Sequence, residues 1–382
     1  MAELDRHISR RGLFKATLGA GAGALVGCGD GPQKSTPTMP IQPTLELRPT
    51  VTPNIPTVEP TIQPVTQEQY TGFSFKQKLD FIEKRGMDAS AYPELPNYNP
   101  ETELVTSVAH LYHSIAPISE GPESIINNTQ FLNRSEYLQA LQTEFGKEFT
   151  PEEAEKQFQE RLEIVTDKNI LLISRERVAQ LEQEQLAKNP NLASQLDGSL
   201  LHVKQFESIL FHAITHANNS QGDLKFDGFS LHFPGIGRVD FDTLDDFKFK
   251  GTITDTNQPL YITGGNEAIT ELIGRSVAME VAHPYISFGS GYHDGANIVA
   301  QINERTGINI KEFREYNTNR SVEELIQRWG SSQVGPVDTA NPIMALALTG
   351  LYVNGYLGSY AETVSGINQY LGLQNPIPTQ KP

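Results

Sequence analysis

Between residues 199 and 220, Leu200, Val203, Phe206, Leu210, Ile214 and Ala217 recur every three or four positions, the period that lines one face of a helix. Ser199 stands where an N-cap is expected. The segments 134–149 and 150–165 also read as helices, the second with Thr150 as cap, Pro151 in the first position and an acidic first turn. Residues 264–282, "GGNEAITELIGRSVAMEVA", give another helix, and "NILLIS" at 169–174 reads as a short buried strand. Apolar and polar residues partly alternate over 223–233 and stop at Pro234-Gly235, which predicts a short hairpin. The uncharged run 341–360 nears bilayer-spanning length, but its Asn, Thr, Gly and Tyr content favours a buried helix. The expected fold class is α+β, mostly helical, with a small sheet.

The first 70 residues follow a different pattern. Arg10 and Arg11 precede an Ala/Gly-rich apolar run that ends in Leu25-Val26-Gly27-Cys28. A basic start followed by a short apolar run is the layout of an export signal. It resembles a twin-arginine signal with Leu13 and Phe14 in swapped order, and its end resembles the lipobox of bacterial lipoproteins. The resemblance implies cleavage before Cys28, acylation of that cysteine and attachment to the outer side of a bacterial membrane. From residue 29 to about residue 70 the chain is rich in Pro, Thr and Gln. Such a tract cannot bury a core and samples extended polyproline-like conformations, so roughly forty residues at about 3.1 Å each reach on the order of 100 Å. The expected organisation is therefore a signal over 1–28, a stalk over 29–70 and one folded domain over 71–382.

Charge narrows the partners. The chain of 382 residues has a formal net charge of -16. Residues 1–27 carry Arg6, Arg10, Arg11 and Lys15 against Glu3 and Asp5, so their removal makes it -18. An acidic chain is repelled by nucleic acid, and none is expected as a partner. Cys28 is the only cysteine, which excludes an intramolecular disulfide, and no Gly-x-Ser-x-Gly elbow is present. Acyl transfer by a serine or cysteine nucleophile therefore lacks its signature.

His212 and His216 lie one turn apart on the 199–220 helix, a spacing at which two imidazoles converge on one cation. Glu267, Thr270 and Glu271 share one side of the 264–282 helix. Together, H-x-x-x-H-A and G-x-N-E-A-x-[ST]-[DE] resemble the two active-site helices of the gluzincin, or thermolysin-like, zinc metallopeptidases. The resemblance covers about 30 residues in two blocks. It implies a zincin-like fold, Zn2+ as cofactor, His212, His216 and Glu267 as its ligands, and Glu271 as the carboxylate that orients a ligand histidine.

One departure bears on activity. Gluzincins carry H-E-x-x-H, whose glutamate takes a proton from water and passes it to the leaving amine; this chain has Ala213 there. A positioned general base contributes about 10²–10⁴-fold, so no residue fills the implied catalytic role and whether the chain is an enzyme stays open. Three readings follow: a lipid-anchored zinc-binding pseudopeptidase that holds a peptide or protein at the cell envelope; a metallohydrolase whose base comes from elsewhere; and a metal-free structural lipoprotein. Asp294 or His293 are candidate bases, and Tyr292 or His293 candidates to polarise a carbonyl. Glu207 lies roughly 140° round the helix from His212, the wrong side for the task. His110, His113 and His232 read as core or surface residues.

Overall fold

The 199–220 helix forms as Leu201–Ala217, and it is the axis of the main core. The computed structural model describes residues 65–381 except 147, 161–162, 166–169, 197, 219–228, 234–236, 246–247, 255–256, 282–283, 288–289, 319–321 and 332–339. Arg10, Arg11, Cys28 and nearly all of the proposed stalk lie outside the described residues.

In chain order the helices are α1 (Gln67–Thr71), α2 (Phe75–Arg85), α3 (Pro100–Ile115), α4 (Pro122–Asn128), α5 (Arg134–Phe145), α6 (Pro151–Glu160), α7 (Arg175–Lys188) and α8 (Leu201–Ala217). They continue as α9 (Gly264–Glu280), α10 (Ser290–Thr306), α11 (Ile310–Thr318), α12 (Val322–Gly330), α13 (Ala340–Val353) and α14 (Tyr360–Leu371). The strands are β1 (Thr129–Leu132), β2 (Glu163–Val165), β3 (Leu171–Ser174), β4 (Phe229–Phe233), β5 (Gly237–Asp245), β6 (Lys248–Ile253) and β7 (Gln258–Ile262). Among the described residues the fold is thus mostly helical α+β, with two small sheets rather than one.

Helices α3, α7 and α9 pack on α8, and α9 is covered in turn by α10 and α13. Close approach of these helices depends on glycine. A Cβ on Gly274 of α9 would come within 3.3 Å of the Phe211 backbone in α8, and one on Gly264 would clash with the Gly350 carbonyl in α13. The α8–α9 crossing matters most, because Glu271 lies one turn before Gly274 on the same side. Helix α13 is the buried helix read from 341–360, with Ile343, Leu346, Leu348 and Leu351 in the core. Among the described residues no helix is long and apolar enough to cross a membrane.

The first sheet has the order β1-β3-β2, with β1 parallel and β2 antiparallel to β3. Period-two alternation splits its side chains between two cores. Leu172 and Ile164 join Tyr137, Leu141 and Phe158 of α5 and α6, while Leu171 and Ile173 face the main core. The second sheet is an antiparallel meander, β4-β5-β6-β7, which buries Leu231, Val239, Phe241, Phe249, Leu260 and Ile262. Strand β7 delivers the chain through Thr263 into α9.

Four expectations change. Residues 65–70, assigned by composition to the stalk, belong to the folded part: Thr66 makes a reciprocal cap with Gln69, and Tyr70 is buried against Phe73, Phe81 and Tyr98. The helix expected over 150–165 begins with the Thr150–Glu153 cap but ends at Glu160, and Glu163–Val165 pair with β3 as a strand. The hairpin is the first pair of a four-stranded meander. Ser199 does not cap α8; Leu200 holds the N-cap position, and the Ser199 hydroxyl donates to Glu83 at 2.9 Å.

Candidate metal centre

His212 is one of the most enclosed polar side chains in the molecule, 1% exposed, because α9 lies directly across it. The crossing brings Glu267 and Glu271 to opposite edges of its ring. Nε2 lies 3.1 Å from Glu267 Oε2, and Nδ1 lies 3.2 Å from Glu271 Oε2. His216, one turn further along α8, sets its Nε2 3.1 Å from His212 Nε2 and 3.2 Å from Glu267 Oε2. The Tyr285 hydroxyl donates to Glu271 Oε2 at 2.7 Å, and Thr270 Oγ1 lies 3.4 Å from His216 Nδ1.

These distances form a nearly equilateral triangle of two imidazole nitrogens and one carboxylate oxygen, a group able to hold a metal ion. Donors about 2.0–2.2 Å from a tetrahedral ion lie about 3.3–3.6 Å apart, so the triangle is within a few tenths of an ångström of that spacing. The outer nitrogens support the arrangement. With Nδ1–H of His212 donating to Glu271 and Nδ1–H of His216 to Thr270, neutral rings would turn both Nε2 lone pairs toward the centre of the triangle. The donor set fits a borderline divalent ion.

Electrostatics favour positive charge at this point. Burial works against a charged His212, yet hydrogen bonds to Glu267 and Glu271, with Glu163 nearby, push its pKa up to about 10. Burial opposes the charge on Glu267 too, but His216 and His212 hold its carboxyl well below the usual carboxylate range. Burial and the Glu271 carboxylate push the Tyr285 phenol well above its ordinary value. The metal-free centre therefore holds a proton on His212 where a cation would supply the same charge.

The other candidates have different partners. Asp294 is buried and accepts from the Tyr352 hydroxyl and the Lys381 ammonium, both at 2.7 Å. His293 is exposed, its Nδ1 3.4 Å from Arg275 and Ser287. Only Tyr292 of that run meets the centre, its ring packing edge-on to His212 at 6.2 Å between centroids. Glu207 pairs with Lys204 at 3.3 Å. His110 stacks on Phe75, His113 accepts from the Ile118 amide, and His232 lies exposed on β4. Ala213 is fully buried in the main core.

One acidic residue at the centre was not anticipated. Glu163, first residue of β2, places Oε1 3.9 Å from His212 Nε2, and its side chain is 16% exposed. The available signal was turn chemistry: Thr166-Asp167-Lys168-Asn169 between 162–165, apolar but for Glu163, and the apolar run 170–173 reads as a hairpin turn and makes 163–165 a strand. No protein-family model, curated protein or solved structure matches the chain.

Proposed function

We propose that this chain is an exported, lipid-anchored, zincin-like protein that carries one zinc ion on His212, His216 and Glu267 and engages a peptide or protein at the cell envelope. The observation behind the reading is the donor triangle on α8 and α9, backed by the Glu271 and Thr270 contacts that orient both rings. A cation held there would supply Lewis-acid polarisation to a carbonyl or a water molecule. The acylated Cys28 and the stalk would hold the domain on the extracytoplasmic face of a membrane. Ala213 removes the glutamate that an active gluzincin uses, which points to a pseudopeptidase. Glu163 beside His212 favours the second reading, a hydrolase with its base off the histidine helix.

Elemental mass spectrometry on the full-length chain purified without chelator tests the metal. About one zinc per chain is expected, and none in His216→Ala. No metal in either would leave a tethered helical domain whose histidines serve packing alone.

A further inference from the structure

Glu163 reaches the centre because of strand register. In β2 Ile164 pairs with Leu172 and is buried in the second core, so Glu163 and Val165 are turned to the opposite face, toward α8. Ile164 is 4% exposed and Val165 packs against the main core, which anchors the strand on both sides. The carboxylate is thereby held at the centre by the sheet. Its 3.9 Å from His212 Nε2 exceeds the 3.1–3.2 Å sides of the donor triangle, so it stands beside the triangle, outside it. A water off the line between them, about 2.7 Å from the Glu163 carboxylate and about 3.3–3.6 Å from His212 Nε2 as a fourth donor around a tetrahedral ion would be, is compatible with that 3.9 Å separation.

We propose that Glu163 is the general base of this centre, replacing from β2 the carboxylate that α8 lacks at Ala213, with the peptide of the reading above as its substrate. This rests on the hydrolase reading above. Glu163 takes a proton from the water as its oxygen forms a bond to the amide carbonyl carbon and the carbonyl π pair moves onto oxygen. That pair then re-forms the C=O bond while the C–N bond breaks. The proton on Glu163 passes to the leaving nitrogen, giving a carboxylic acid and an amine and regenerating the carboxylate. One water is consumed and no other reactant is needed.

The test compares full-length wild type, Glu163→Gln and Glu163→Asp, each zinc-loaded, in three readouts: zinc per chain, turnover of a quenched-fluorescent peptide library, and affinity for acetohydroxamate. Hydroxamate binding needs an acceptor for its proton. Expected are one zinc in all three proteins, a kcat at least 100-fold lower in Glu163→Gln with partial recovery in Glu163→Asp, and at least tenfold weaker hydroxamate binding by Glu163→Gln. Unchanged turnover or hydroxamate affinity in Glu163→Gln, or zinc-loaded wild type that cleaves nothing, would overturn the assignment. Loss of zinc from Glu163→Gln would make Glu163 a ligand instead. Absence of zinc from wild type overturns the underlying reading, and the metal count alone shows it.

Discussion

Helix α8 carries two buried ionic groups of opposite design. Toward its N-terminus, the Lys204 ammonium lies between Glu83 and Glu207, and all three side chains are at most 5% exposed. Toward its C-terminus, His212 and His216 meet Glu267 and Glu271, with Glu163 close by. The first group is centred on the Lys204 ammonium. In the second, the positive charge is a proton on an imidazole, which a metal can displace. Buried acidity is thus common to both groups; what sets the second apart is that two imidazole nitrogens and a carboxylate oxygen converge on one point.

If the two groups are independent, their substitutions separate. Lys204→Ala has the largest expected effect, because it leaves two buried carboxylates without their cation: about 3–5 kcal/mol of stability lost in urea unfolding. Zinc per folded chain stays unchanged. Zinc lost from still-folded Lys204→Ala would show that the groups act as one. Glu271→Gln has a smaller and opposite profile. It keeps an acceptor for Tyr285 but weakens the grip on the His212 ring, so zinc affinity falls about 10–100-fold in a chelator competition.

The same contrast shows what the chain discloses before it folds. His212 with His216, and Glu267 with Glu271, were readable as pairs because each pair sits on one helix at a fixed spacing, and long periodic helices announce themselves. Lys204 and Glu207 are also on that helix, but Glu83 comes from α2, more than a hundred residues away, and nothing local predicts the pairing. That contact also accounts for the misplaced cap, since Glu83 takes the Ser199 hydroxyl. The sheets were the least legible part. Strand β2 has three residues, too few for a period to show, and the helical pattern before it ran on through it. In β5, Arg238-Val239-Asp240-Phe241 does alternate and is a strand signal, whereas in β6 Gly251 takes a buried position where an apolar side chain would mark the strand. Helix spacing thus paired the residues within each helix, the resemblance joined the two pairs, and Glu163 was hidden in a short strand.

Proton displacement gives the sharpest discrimination between the two groups, with the smallest step. His212 has its pKa raised from 6.5 to about 10, so in the metal-free protein the charged ring contributes stability that is fully present below about pH 6.5 and is lost as pH rises toward 10. Zinc needs the neutral ring and must displace that proton, so its apparent affinity should rise about tenfold, or about 1.4 kcal/mol, per pH unit across this window. Titrations against a competing chelator at pH 6.5, 7.0, 7.5 and 8.0 measure the slope. Glu207 is also shifted, its carboxyl raised by burial and by Glu83 against the pull of Lys204. It titrates equally in zinc-loaded and zinc-free protein if the groups are separate, so it drops out of the affinity. A slope of one proton that persists in a folded Glu207→Gln variant places the displaced charge on the histidine group. A slope near zero would mean that His212 is already neutral and that the carboxylates around it do not hold a replaceable proton.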